Sequence, residues 1–209
     1  MRTIAIFGVT GRTGQALAQA ATERGWAVRG FARPESAVPS AQGALTIVRG
    51  TFEDSARVIE TVTGADAVCC VVGPRPPHTD AFCSAATTAI VHAMKQAGLR
   101  RLVCQTGAMV GEGNRTRGFA WLGRMVARRQ RTVIQDRLEQ ERVVQESGLE
   151  WTLVKPPRLT EGPARRGIKA GATLPIGLLS RISRASLAAF TLYAIERGHY
   201  IGARVFVRE

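Results

Sequence analysis

Short apolar runs alternate with stretches of helical period along the whole chain. Residues 4–7 form an apolar run that reads as a strand, and 15–24 read as a helix closed by Gly25. A second strand covers 27–33, a polar loop 34–43 and a third strand 44–49. Asp54 or Ser55 can cap a helix ending near Thr63, and the fully apolar 67–72 reads as a buried fourth strand. Gly73-Pro74-Arg75-Pro76-Pro77 cannot continue any ladder and closes it. Thr79 or Asp80 is then placed to cap a long helix reaching Gly98. Strand five is 101–105, a helix spans 132–147 with Gly148 at its end, and strand six is 151–155. The stretch 156–180, rich in Gly, Pro and Arg, reads as a loop. A last helix follows Ser183 up to Gly198, and 203–207 is the final strand. Strand and helix in strict alternation predict an α/β fold, a doubly wound parallel sheet of Rossmann type. No repeat or linker divides it, so 1–209 reads as one domain.

Composition narrows this little. No apolar run is long enough to span a bilayer, and no signal peptide precedes the first strand, which points to the cytoplasm. Cys69, Cys70, Cys83 and Cys104 include no Cys-x-x-Cys, so reduced, mostly buried thiols are expected. His78, His92 and His199 lack metal-ligand spacing, and no metal is expected.

Charge changes the picture more. The net charge is +13, and of 29 basic residues only Lys95, Lys155 and Lys169 are lysines. Arginines concentrate at 115, 117, 124, 128, 129 and 131. That run reads as a solvated helix face or an anion-attracting field. With only Phe119 and Trp121 beside it, it offers no stacking platform for nucleic acid.

Candidate chemistry begins at the first strand end. Gly8, Gly11 and Gly14 stand at the spacing of a dinucleotide-binding turn between a strand and a helix. Gly8 would allow the tight turn, Gly11 the approach of a pyrophosphate, and Gly14 the close packing of the helix. A glycine-rich turn with no ligand is the alternative. In a doubly wound sheet ligands bind outside the carboxyl ends of the strands. The candidate contacts are therefore the 8–14 turn with Thr10, Arg12 and Thr13, then Arg33, Thr51, Phe52, Val72, Gly73 and Pro74. Further along they are Thr106, Gly107, Lys155, Pro156, Pro157 and Arg158. An NAD site would place an acid about 20 residues past the glycines. This chain has Arg33 there and Arg12 in the turn, which suits the 2′-phosphate of NADP(H). Glu35 lies beyond Pro34, past the expected position.

Gly8-Val-Thr-Gly-Arg-Thr-Gly14 resembles the loop of the atypical short-chain dehydrogenases/reductases. The resemblance is to their NAD(P)H-binding group, which includes biliverdin reductase B (flavin reductase) and NmrA-like proteins. It continues through Val72-Gly73, Ala93-Met94-Lys95, Thr106-Gly107-Ala108, the 146–152 segment, Lys155-Pro-Pro-Arg-Leu159 and the 182–190 segment, nearly the whole chain. It implies an NADP(H)-binding Rossmann domain with a small C-terminal substrate lobe. The departures are specific. Tyr193 and Tyr200 are the only tyrosines and neither has lysine four residues on, so the usual Tyr-x-x-x-Lys proton donor is absent. Gly107 stands where flavin-reductase-like members carry a serine, leaving Thr106 as the nearest hydroxyl. Arg137 and Arg158 stand where they carry histidines. A bilin substrate is not implied.

The expectation is an NADPH-dependent reductase acting on a flavin, quinone or small carbonyl. A dinucleotide sensor without turnover is the alternative. Segments 108–131 and 158–180 would wall the acceptor, near a nicotinamide resting by Gly73, Thr106 and Pro156. Arg137 and Arg158 would orient a small-molecule acceptor bearing carboxylate or phosphate, and Thr106 would hydrogen-bond the nicotinamide amide or the reacting group. No nucleic-acid or membrane partner is expected, and the protein would be a monomer or homodimer.

Overall fold

The computed structural model describes residues 1–38, 44–74 and 81–209. Strand β1 (Thr3–Phe7) shows why the sheet is double-sided. Its side chains alternate by the period of two, so Ile4 and Ile6 face one way and Ala5 and Phe7 the other, all fully buried. Ile4 and Ile6 pack on Leu17, Ala18 and Ala21 of α1 (Arg12–Glu23) and on Ala188 and Leu192 of α6 (Arg184–Glu196). Ala5 and Phe7 join a cluster fed by α2 (Ser55–Val62), α3 (Phe82–Gln96) and α5 (Arg131–Gln145). Burial of each such isoleucine or phenylalanine contributes about 1.5–3 kcal/mol.

The other strands are β2 (Ala27–Ala32), β3 (Leu45–Arg49), β4 (Ala67–Cys70), β5 (Arg101–Gln105), β6 (Glu150–Lys155), β8 (Lys169–Gly171) and β10 (Ala203–Arg208). They stand in the order β3-β2-β1-β4-β5-β6-β10-β8, and every pairing is parallel except that of β8 on β10. The chain builds outward from β1 through β2 to β3, then restarts on the opposite side with β4. A crevice opens where that direction reverses, between the carboxyl ends of β1 and β4.

The doubly wound α/β fold read from the sequence is the one observed, and β5 has the expected ends. The boundary differences that bear on the site are these. The first helix starts at Arg12, so Arg12, Thr13 and Gly14 lie in its first turn. β2 and β4 stop at Ala32 and Cys70, releasing Arg33 and Val71 to Pro74 into the loops above the sheet. The expected cap at Thr79 or Asp80 lies outside the described residues, and the residue preceding α3, Ala81, makes no side-chain cap.

Two regions that received no bounded strand or helix from the sequence are structured. Residues within 108–131 form α4 (Arg117–Arg129), which seats Phe119 against Ala108, Ile176 and Phe206. The 156–180 stretch read as loop contains β7 (Arg158–Thr160), which pairs with β9 (Arg181–Ser183) just beyond it in a separate two-stranded sheet. All four cysteines are buried and free. No helix among the described residues is long and apolar enough to cross a membrane.

Candidate dinucleotide and acceptor site

The three glycines of the first turn do three different things. Gly8 has φ +92°, and a β-carbon on it would stand 2.9 Å from the Val71 carbonyl, so it lets the end of β1 lie against the end of β4. Gly14 sits in α1 where a β-carbon would overlap the Gly8 carbonyl oxygen and stand 2.7 Å from Val9 Cα. Gly11 is unlike both. Its backbone (φ −77°, ψ 156°) is open to any residue, and a β-carbon there would meet only the Gly8 oxygen, at 3.3 Å. Glycine at this position leaves space rather than solving a backbone problem. Gly11 is also the N-cap of α1 and gives it no side-chain partner. The first-turn N–H groups are thus left for an anion.

Above the carboxyl ends of β1 to β4 lies a cavity of about 340 Å³. Gly8, Thr10 and Gly11 form one wall, and Arg33, Thr51 and Phe52 another, with Val72 and Gly73 closing the β4 side. These eight sequence candidates therefore come together. Phe31, Ala32, Gly50, Glu53, Val71 and Phe82 also line it and were not anticipated. All but Glu53 and Phe82 sit within a residue or two of a recognised strand end, the signal that could have found them. The floor is aromatic: Phe31 and Phe52 rings lie 5.2 Å apart, and Phe52 and Phe82 5.8 Å.

Arg33 is held from below. Arg49, at the end of β3, donates to the carbonyls of Arg33 (3.2 Å), Pro34 (2.7 Å) and Ser36 (3.1 Å), fastening the turn that carries Arg33. Glu35 does reach back to Arg33 across this turn, at 3.3 Å. Both side chains are more than half exposed, so the pair is worth about 0–1 kcal/mol. Arg12 points to Glu161 at 3.3 Å and is exposed as well. Arg12, Thr13, Gly14 and Pro74 flank the cavity without lining it.

Thr106, Gly107, Lys155, Pro156 and Pro157 lie at the ends of β5 and β6, outside the cavity wall. The Ala108 N–H donates to the Pro156 carbonyl at 2.9 Å, tying the two strand ends together. The Thr106 hydroxyl donates to Glu141 Oε1 at 2.6 Å, and Lys155 Nζ donates to the same oxygen. Glu141 and Lys155 form an ion pair with almost no solvent exposure. Burial pushes the Lys155 ammonium below its usual range, and the Glu141 carboxylate pushes it back up. Glu141 was not anticipated; one acid in a helix of many charges carries no sequence signal of its own.

Arg137 is in the same region. It donates to the Gln105 carbonyl (3.4 Å) and Gln140 Oε1 (2.6 Å). Arg158 is exposed on β7, across from Arg181. Segments 108–131 and 158–180 do meet. Thr116 N–H donates to the Ile176 carbonyl, Ile176 N–H to Asn114 O, both at 3.0 Å, and Asn114 Nδ2 to Thr173 O at 2.9 Å.

Residues 8–197 match the family described as NAD(P)H-binding. The chain belongs to that family. Solved structures with the same fold include a short-chain dehydrogenase/reductase (wide type) from Veillonella parvula in complex with NADP. It is 18% identical with TM-score 0.79, over 100% of this chain and 94% of that one. An anaerobillin reductase from Escherichia coli is 17% identical with TM-score 0.82, over 100% and 97%. A putative exported protein from Burkholderia pseudomallei is 25% identical with TM-score 0.79, over 100% of both chains. Membership of the NAD(P)H-binding family accords with the open helix terminus, the space at Gly11 and the cavity beside them.

Proposed function

We propose that the protein is an NADPH-dependent reductase that passes hydride to a flavin, a quinone or a small carbonyl compound. The observation that carries this reading is the cavity over β1 to β4, where Gly11 leaves room for a pyrophosphate and Arg33, on a turn fastened by Arg49, brings a half-exposed guanidinium. Gly8, Thr10, Gly11 and the first-turn amides of Arg12, Thr13 and Gly14 would hold the pyrophosphate. Arg33 would take the 2′-phosphate, and Thr51, Phe52, Val72 and Gly73 would frame the adenosine. Pro74, Thr106, Gly107, Lys155, Pro156 and Pro157 would border the nicotinamide end. The bound nucleotide supplies the hydride, and the protein supplies position. A flavin or quinone acceptor draws its proton from solvent, which accords with the absent Tyr-x-x-x-Lys.

NADPH oxidation measured over a panel of flavins, quinones and aldehydes tests the reading, and no turnover with any acceptor would leave the regulatory alternative. One observation favours that alternative: the Thr106 hydroxyl is already donated to Glu141.

The preference for NADPH over NADH has its own test. Charge-assisted contacts to a phosphate are worth about 1.5–3 kcal/mol, more than the exposed Arg33–Glu35 pair, so the phosphate displaces Glu35. Arg33→Asp should weaken NADPH at least about tenfold and leave NADH nearly unchanged, as read by calorimetric titration. Equal affinities in the unaltered protein would sink the claim.

Arg137 and Arg158 are proposed to receive an anionic acceptor, with the joined 108–131 and 158–180 segments as its wall. Each arginine changed to Ala should raise KM for an anionic flavin by roughly tenfold and spare a neutral quinone. Full activity of both variants on both acceptors would remove the arginines from substrate handling.

A further inference from the structure

Four of the large apolar side chains that the described residues leave exposed gather around α4. Trp121 and Met125 are on the helix, and Leu178 and Leu179 on the turn beside its first residues. Leu179 is 94% exposed and Leu178 58%. A β-carbon on Gly118 would stand 3.1 Å from Leu178 Cδ1, which places that turn against the start of the helix. Gly118, Trp121 and Met125 follow at helical spacing on the side away from buried Phe119 and Gly123. The turn is stiff: Ser180 N–H donates to the Gly177 carbonyl and Gly177 N–H to Ser180 Oγ, both at 3.0 Å.

The charge around this apolar stripe is of one sign. Residues 113–135 contain no Asp or Glu. Arg115 is turned inward onto the carbonyls of Ala108 and Val110. Arg117, Arg124, Arg128, Arg129 and Arg131 are exposed, and among the described residues none has an ion-pair partner. Glu209, which borders the turn, is engaged elsewhere, accepting from Ser183 N–H and Ser186 Oγ and lying 3.6 Å from Arg165.

We infer that this face of α4 and the 177–180 turn docks on an anionic lipid surface. A headgroup layer takes both parts of the patch, phosphates pairing with the guanidinium groups while Leu178, Leu179, Trp121 and Met125 enter the acyl boundary. Trp is favoured at such interfaces. A second copy docking by the same face would set its own unpaired arginines against these, and each chain carries a net charge of +13, so the two repel. Nucleic acid would take the arginines but leaves the two leucines in water. The expectation of no membrane partner rested on the lack of a spanning run, and peripheral docking needs none. The inference is independent of the acceptor chosen above.

Co-sedimentation with vesicles of phosphatidylglycerol and phosphatidylcholine at low ionic strength, against phosphatidylcholine alone, is the test. Binding is expected only to the anionic vesicles, with a blue shift of tryptophan emission that Trp121→Phe removes. Leu179→Asp should weaken binding at least about tenfold, and Arg124→Glu with Arg128→Glu at least about twenty-five-fold. Unchanged melting temperatures would show the variants folded, as expected for such exposed positions. The inference is overturned by no binding to anionic vesicles. It is equally overturned by binding indifferent to Leu179→Asp, or by tighter binding to duplex DNA than to the vesicles.

Discussion

Gly11→Val should fold normally and bind NADPH at least about a hundredfold more weakly, a loss of ~2.7 kcal/mol. The backbone at Gly11 is extended, so valine adopts it without strain, and its β-carbon needs only a few tenths of an ångström from the Gly8 carbonyl. The two methyl groups then occupy the cavity side of the turn, where the pyrophosphate must approach the helix amides. Gly14 gives the contrasting case within the same seven residues. Any side chain there collides with the Gly8 and Val9 backbone, so Gly14→Val should lose stability along with binding. A melting curve and a calorimetric titration on both variants separate the two roles. A folded Gly11→Val protein with undiminished NADPH affinity would reduce the turn to a structural device.

Glu141→Ala should cost about 3–5 kcal/mol of unfolding free energy, because it leaves the Lys155 ammonium buried without its counter-charge. Replacing both partners with apolar residues, Glu141→Leu with Lys155→Met, should recover most of that loss. Denaturant titration of the three proteins decides it. In the single variant Lys155 keeps the burial that lowers its pKa and loses the carboxylate that raised it. Its folded pKa then falls further below its ordinary value of 10.5, so the unfolded chain binds more protons between those two pH values. Stability of Glu141→Ala should therefore rise with pH across that window. A deficit under 1 kcal/mol, or one that grows toward pH 10, would mean that the pair is not what holds this strand end.

The glycine turn and the β1 to β6 framework were legible because each rests on local signals, apolar runs ended by Gly or Pro. What escaped was set by distant contacts. Helix α4 has glycines at 118 and 123 and no carboxylate to pair with its arginines, so its sequence marks no helix ends, and it is held by Phe119 packing on Ile176 and Phe206. β7 and β9 are three residues each and exist by pairing with one another. At the site, the residues on the β1 to β4 ends were readable from position alone. Thr106 was readable as a hydroxyl at a strand end, but its engagement by Glu141 and Lys155 depends on how α5 lies over β5 and β6, which no spacing reveals.

Among the described residues the one antiparallel strand pairing has a consequence for how the sheet ends. β10 buries Val205, Phe206 and Val207, and as a bare edge its open ladder would invite another chain to pair. β8 covers it at Phe206, Val207 and Arg208 and replaces it with an edge only three residues long that carries Lys169. A short charged edge is a poor template for cross-β growth, so these three residues blunt the β10 edge against pairing with another chain, whatever else the 158–180 segment does.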